Sequence, residues 1–280
     1  MERFCDLHTH SVFSDGTFTP EQILDEAEKV GLGAVALTDH NTVSGLPVFL
    51  AAAQGRNLEA VPGVEFSVQY GEKELHLLAL FVRPMYFDLI TQKMEEGARG
   101  KEESNVKLAA ALCKAGYAID YAALKSRTPN GQINRAHIAA ELTRLGYVSD
   151  IQTAFKTLLS PEGGLYQPPR RPNVFEMIEF IHSLDAVSVI AHPFLDLKEE
   201  AAVRSFLQDA APRGLVGIEV YHPNHDALQR QTGLILAKEL GLKISGGSDF
   251  HGGNKPDISL GNGRGDLAVP MTVFDALKRG

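Results

Sequence analysis

The chain has no tryptophan, only two cysteines in 280 residues, and no apolar run near the roughly 18 residues that a membrane-spanning helix needs. Cys5 and Cys113 cannot make a disulfide framework, so a reducing, cytoplasmic compartment is expected. No apolar stretch precedes the polar residues of the N-terminal segment, and no signal peptide is read there. Positive charge is also scarce: 27 Lys and Arg face 35 Asp and Glu, giving a net charge of −8. That balance excludes a protein that coats long duplex nucleic acid by bulk charge. The remaining composition, 44% hydrophobic and 22% charged, is ordinary for a globular chain. The length suits one large domain or a domain with an insert, and a monomer is expected.

Short apolar runs at 3–8, 34–38, 59–65, 75–81, 187–191, 217–221 and 243–246 have strand length. Most are too apolar for a half-exposed strand and suit a parallel sheet buried on both faces. Amphipathic stretches lie between them. The first opens at Thr19-Pro20-Glu21-Gln22, with a Thr cap, Pro at the first helical position and Gln three residues after the cap. It puts Ile23, Leu24, Ala27 and Val30 on one face and stops at Gly31. Further helices are expected at 43–54, 174–184, 199–210, 226–240 and 273–278. Strand–helix alternation implies an α/β barrel or an open parallel sheet. The alternation fails between Pro84 and Pro172, where helices alone are read at 85–113, 121–127, 135–145 and 151–159. Turns at Pro129-Asn130-Gly131 and Pro161-Glu162-Gly163-Gly164 punctuate them. The expected division is an α/β core of 1–96 and 170–280, with a helical insert, 97–169, packed on it as a cap.

Histidines and acids gather where strands end. His8-Thr9-His10 closes the first run, and residues two apart on extended chain face the same side. Asp15 follows in a Ser-Asp-Gly turn. Asp39-His40 ends the second run and Glu65 the third; His76 lies in the fourth. His192 and His222 end the fifth and sixth, and Asp249-Phe250-His251 ends the seventh. In parallel α/β folds the C-terminal strand ends carry the active site. Imidazole and carboxylate suit divalent metals such as Mn, Zn or Fe, with Mg as a further option. His8, His10, Asp15, His40, Glu65, His76, His192, Asp249 and His251 exceed the four ligands of one tetrahedral ion, which implies two or three ions sharing a carboxylate. Such clusters activate water and clamp the oxygens of a displacement at phosphorus. His182, beside Ile178 and Ile181, and His225, read as a helix cap, are taken as structural.

Asp6-Leu7-His8-Thr9-His10, Ser14-Asp15-Gly16, Thr38-Asp39-His40-Asn41, Gly63-Val64-Glu65, His192-Pro193 and Gly247-Ser248-Asp249-Phe250-His251 resemble the motifs of the polymerase and histidinol phosphatase (PHP) superfamily of metal-dependent phosphoesterases. The resemblance implies a distorted seven-stranded (β/α) barrel with a metal cluster in its mouth. It assigns His8, His10, Glu65 and Asp249 to one metal, Glu65, His76 and His192 to a second, and Asp15, His40 and His251 to a third. A His often stands where this chain has Asp15. Asp39 becomes an orienting partner, and His222 a candidate to protonate the leaving oxygen.

The segment Asn134-Arg135-Ala136-His137-Ile138-Ala139, with Gly146-Tyr147-Val148 and Ala154-Phe155, resembles the insert of a bacterial branch of that superfamily. That branch acts on nucleoside 3′,5′-bisphosphates and, in some members, on short RNA from the 5′ end. An Arg fork at a helix start suits a phosphate. Arg135 and His137, with Arg170 and Arg171 in the Pro-rich return, are therefore the expected substrate contacts. The function implied is removal of the 3′-phosphate from a nucleoside 3′,5′-bisphosphate. Alternatives are a 5′→3′ exoribonuclease on short 5′-phosphorylated RNA, histidinol phosphate phosphatase, and a non-enzymatic polymerase-associated module. The expected partner is a small phosphorylated molecule or short RNA end, not a membrane.

Overall fold

The computed structural model describes residues 3–128, 133–160, 163–167 and 171–279, with backbone alone for 96–99 and 101. Arg170 and most of the two expected turns, 129–131 and 161–162, lie outside the described residues. The chain forms two compact units, Met1–Gln92 with Pro172–Gly280, and Lys93–Arg171.

The first unit begins with β1 (Phe4–Asp6), α1 (Pro20–Lys29), β2 (Ala34–Leu37), α2 (Leu46–Ala52), β3 (Glu59–Tyr70) and β4 (Lys73–Leu80). A long helix, α3 (Phe87–Lys114), leads into α4 (Tyr121–Arg127), α5 (Arg135–Arg144) and α6 (Ile151–Thr157). The first unit then resumes with α7 (Val174–Ser183), β5 (Val187–Ile190), α8 (Pro193–Asp196), α9 (Glu200–Ala210), β6 (Gly217–Tyr221), α10 (Ala227–Leu240), β7 (Lys243–Gly246), β8 (Val269–Pro270) and α11 (Met271–Lys278).

The strands form one sheet in the order β7-β6-β5-β4-β3-β2-β1-β8. It curls into a nearly closed barrel, because Leu7 N–H donates to Gly246 O at 3.1 Å and Thr9 bridges to Phe250. The α/β barrel class stands, but two details of the sequence reading need correction. Among the described residues the sheet has eight strands rather than seven; β8 is two residues long, too short to carry a periodic signal, and pairs antiparallel with the start of β1. The sheet is also mixed, since β4 runs antiparallel to both β3 and β5. A tight turn at Gly71, with φ at +56°, joins β3 to β4, and so short a link forces a hairpin where a helix would be needed for a parallel pair.

Period-two alternation places Cys5 and Leu7, Ala34 and Ala36, Leu78 and Leu80, and Val187, Val189 and Ala191 in one buried cluster. Helices α1, α2, α7, α10 and α11 pack against the strands. Thr19 caps α1 as expected: its Oγ1 accepts from Gln22 N–H at 3.3 Å, while Gln22 Oε1 accepts from Thr19 N–H at 2.9 Å. Ile23, Leu24 and Ala27 are fully buried, but Val30 is 48% exposed, because it already lies at the helix end. In α7, Val174, Met177, Ile178 and Ile181 face inward, and His182 is exposed rather than packed with the isoleucines.

The second unit has its own core of Leu108, Leu112, Ile138, Leu142, Ala154 and Tyr166 among others. Its helices start on side-chain caps: Asp120 on α4, Asn134 on α5 and Asp150 on α6. Each cap satisfies a backbone N–H that a helix start leaves unpaired.

Candidate metal centre

Beyond β1 the chain stays extended, so His8 and His10 fall on one side, both fully buried. Asp6 secures the neighbouring loop. Its carboxylate accepts from Ser248 N–H (2.8 Å), Ser248 Oγ (2.5 Å) and Gly261 N–H (2.7 Å). Burial pushes the Asp6 carboxyl up, against those hydrogen bonds. His40 bridges to Glu65 across β2 and β3. His76 pairs with Ser67, so it is diagonal to Glu65 on the same face of the hairpin. Glu65 therefore lies within β3, not at its end as the sequence suggested, because the hairpin continues to Tyr70.

Glu65 is the hub. Its Oε2 faces His8 Nε2 and His10 Nε2, each at 3.2 Å, and His40 Nδ1 at 3.0 Å. Its Oε1 faces His76 Nδ1 and His192 Nε2, each at 3.2 Å. Asp249 Oδ1 lies 3.3 Å from His10 Nε2 and 3.7 Å from His8 Nε2. Asp15 Oδ1 is 3.2 Å from His251 Nε2, and Asp15 Oδ2 is 3.8 Å from His40 Nε2. All nine residues expected as ligands fall in overlapping groups able to hold an ion: His10, Asp15, His40 and His251; His8, His10 and Asp249; His8, Glu65 and His192; His40, Glu65 and His76; and His76, His192 and Asp196.

The donor set fits divalent cations on a direct physical criterion. His8 Nε2, both nitrogens of His10, His40 Nδ1, Glu65 Oε2 and His76 Nδ1 are buried without a hydrogen bond. Buried polar atoms left unpaired are costly, and a cation drawing on these lone pairs would remove the cost. Burial would raise the Glu65 carboxyl, but the imidazoles of His8, His40 and His76 hold it well below the carboxylate range. Burial would lower the histidines, yet Glu65 carries His76 up to about 9, and Asp196 with Glu65 carries His192 up to about 10.

Bonds at the second ring nitrogen sort the histidines. His8 Nδ1 donates to Glu219 Oε1 at 3.0 Å, and His251 Nδ1 donates to Asp249 O at 2.8 Å. Each leaves the Nε2 lone pair for the centre. His222 is wired the other way: its Nδ1 accepts from Asn224 N–H at 3.1 Å, so its Nε2 carries the proton and points to Asp249 Oδ2 at 3.6 Å. His225 does not cap a helix; Asp226 caps α10. His225 is buried with Nδ1 donating to Val220 O at 3.1 Å, and burial lowers it to about 4.

Asp39 belongs to none of the ligand groups. Its oxygens accept from Ser11 N–H (2.7 Å), Ser11 Oγ (2.6 Å) and Ser14 Oγ (2.6 Å), which anchors the loop bearing Asp15. In the helical unit, Arg135 lies over the Tyr166 ring at 4.3 Å and the Phe155 ring at 5.7 Å, and donates to Leu159 O. His137 Nδ1 accepts from Asn134 N–H at 3.1 Å, closing a capping box. Arg171 is half-buried. Sequence reasoning missed Glu219, Asp196, which stands 3.3 Å from His192 Nδ1, and Lys255, which donates to Asp249 Oδ2 at 2.6 Å. A lone acid between Ile218 and Val220 was the available signal for Glu219; Lys255, in an irregular loop, offered none.

An α/β barrel with histidines and carboxylates converging at its strand ends defines a metal-dependent hydrolase. Comparison with known proteins names the family. The PHP domain model matches residues 6–154, and the chain belongs to that family, whose members are phosphoester hydrolases. The chain is 30% identical to a Haemophilus influenzae 5′-3′ exoribonuclease over 90% of this chain and 91% of that one. It is also 30% identical to a Chromobacterium violaceum 3′,5′-nucleoside bisphosphate phosphatase, over 88% and 86% respectively. A solved Bifidobacterium adolescentis structure, assigned by inference as a metal-dependent phosphoesterase, superposes with a TM-score of 0.73 at 28% identity, covering 99% of this chain and 96% of that one. Among the described residues no helix is long and apolar enough to cross a membrane.

Proposed function

We propose that this metal-dependent phosphoesterase removes the 3′-phosphate from nucleoside 3′,5′-bisphosphates. The observation that carries the phosphoesterase chemistry is Glu65 facing five imidazoles, four of which turn an atom toward it that lacks a hydrogen bond. The narrower substrate is supported by the C. violaceum relative. Two or three ions, of Mn, Zn or Fe with Mg as a further option, would be held by His8, His10, Glu65 and Asp249, by Glu65, His76 and His192, and by Asp15, His40 and His251. When bound, such ions activate water at neutral pH and neutralise charge on phosphoryl oxygens.

The protein's own groups do the rest. Glu219 and the Asp249 carbonyl fix the tautomers of His8 and His251. Asp39 holds the Asp15 loop in place. His222 offers Nε2–H as a donor for the leaving oxygen. Contact with the 5′-phosphate falls to Arg135 and His137, with Arg170 and Arg171 as further cationic candidates.

Incubation of adenosine 3′,5′-bisphosphate with the Mn²⁺-supplemented protein is expected to yield phosphate and the 5′-monophosphate. Release of the 5′-phosphate instead, or no release with any of the four metals, would falsify this reading. A second reading, 5′→3′ exoribonuclease, is favoured by the H. influenzae relative. It predicts mononucleotides from a short 5′-phosphorylated oligoribonucleotide at a rate above that on the bisphosphate.

A further inference from the structure

Glu219 lies in β6 between Ile218 and Val220, fully buried, and belongs to none of the ligand groups. A carboxylate persists in such a place only where its oxygens are matched. Here the two oxygens hold two different histidine segments. Oε1 accepts from His8 Nδ1 at 3.0 Å, and Oε2 accepts from the His192 backbone N–H at 2.7 Å. The first bond turns the His8 Nε2 lone pair toward Glu65 Oε2. The second pins a residue with φ at +26°, a conformation that L-residues avoid, and His192 Nε2 then faces Glu65 Oε1. Glu219 thus supports one histidine on each oxygen of Glu65. An ionised carboxylate only accepts hydrogen bonds, so it serves both donors; an amide has one accepting oxygen and serves one.

We propose that Glu219 is a positioning residue that sets the His8 tautomer and the His192 backbone together, and so couples metal binding on the two sides of Glu65. The proposal rests on the metal-centre reading above. The test is zinc titration of the full chain, as wild type and Glu219→Gln, by competition with a chromophoric chelator, alongside the melting temperature of each metal-free protein. The expected result is a loss of about 10–100-fold in affinity for both tight zinc equivalents. Unchanged affinity, or weakening of one equivalent alone, overturns the proposal and leaves the metal centre standing. A lower melting temperature with unchanged zinc affinity also overturns it, since a merely structural role predicts that pattern. Absence of tight zinc binding by the wild type overturns the metal centre itself, and this proposal with it. If Glu219→Gln does not fold, ¹⁵N-histidine spectra of the zinc-loaded wild type decide. His8 protonated at Nδ1 and bound through Nε2 is expected, and the reverse overturns the proposal.

Discussion

Each compact unit contains a buried glutamate among basic neighbours, and the two behave in opposite ways. In the helical unit Glu141 accepts from Arg127 at 2.9 Å and from Arg144 through both oxygens at 2.8 Å. Every contact there is a well-formed hydrogen bond, and the arginines reach solvent. In the barrel unit Glu65 has five imidazoles around it, and several inward atoms, including its own Oε2, have no hydrogen bond. A satisfied acid contributes to stability. An acid with surplus lone pairs around it marks a place for a ligand.

Glu65→Gln should separate the two most sharply. Losing the shared carboxylate is expected to remove several kcal/mol of charge stabilisation, an activity loss of about a thousandfold. A turnover assay with metal analysis checks this, and near-normal turnover with full metal content would contradict it. Metal removal comes next. A chelator should lower the melting temperature, and re-added ion at a thousand times its dissociation constant should restore about 4 kcal/mol. Because imidazoles must shed protons to bind, calorimetry in buffers of different ionisation enthalpy should show proton release on metal uptake.

Arg135→Lys sharpens the comparison from the helical side. Loss of a charged fork contact costs about 1.5–3 kcal/mol, so KM for a bisphosphate should rise roughly tenfold or more with metal content unchanged. A fall in kcat alone would contradict the phosphate assignment. The smallest effect is expected at Glu141→Gln, under about 1 kcal/mol, since the arginines are half-exposed and screened. Arg144, and then Arg127, hold the Glu141 carboxyl down to about 2 against an ordinary 4.5. Its contribution is therefore present above pH 4.5 and is lost as pH falls from there toward 2. Melting curves of wild type and variant should converge over that window, and activity should not change.

The grouping of the nine candidate ligands was readable in part because strand ends repeat a local signal: His8 two residues from His10, Asp39 beside His40, and Asp249 two residues from His251. The same reasoning found the Thr19 cap and the separate helical stretch, since caps and periodicity are local. Non-local features were out of reach. The reversal of β4 depends on a two-residue turn at Gly71, and β8 acquires its identity only by pairing with residues far earlier in the chain. Glu219 is the clearest case. An acid inside an apolar strand reads as an edge residue until the partners on its two oxygens, 211 and 27 residues away, are known.

The barrel's closing seam also sets an order of events. Asp249 N–H donates to His8 O at 2.9 Å, and His10 N–H donates to Phe250 O at 2.9 Å, so the two segments that meet here lie more than two hundred residues apart in the chain. During synthesis from the N-terminus, His8, His10 and Glu65 emerge long before Asp249 and His251. A growing chain can therefore present only fragments of the cluster, with the weak and unselective grip that separate imidazoles have. The groups that include Asp249 or His251 are complete only after the ring of strands has closed on itself, whereas His40, Glu65 and His76 come together as soon as β2, β3 and β4 pair.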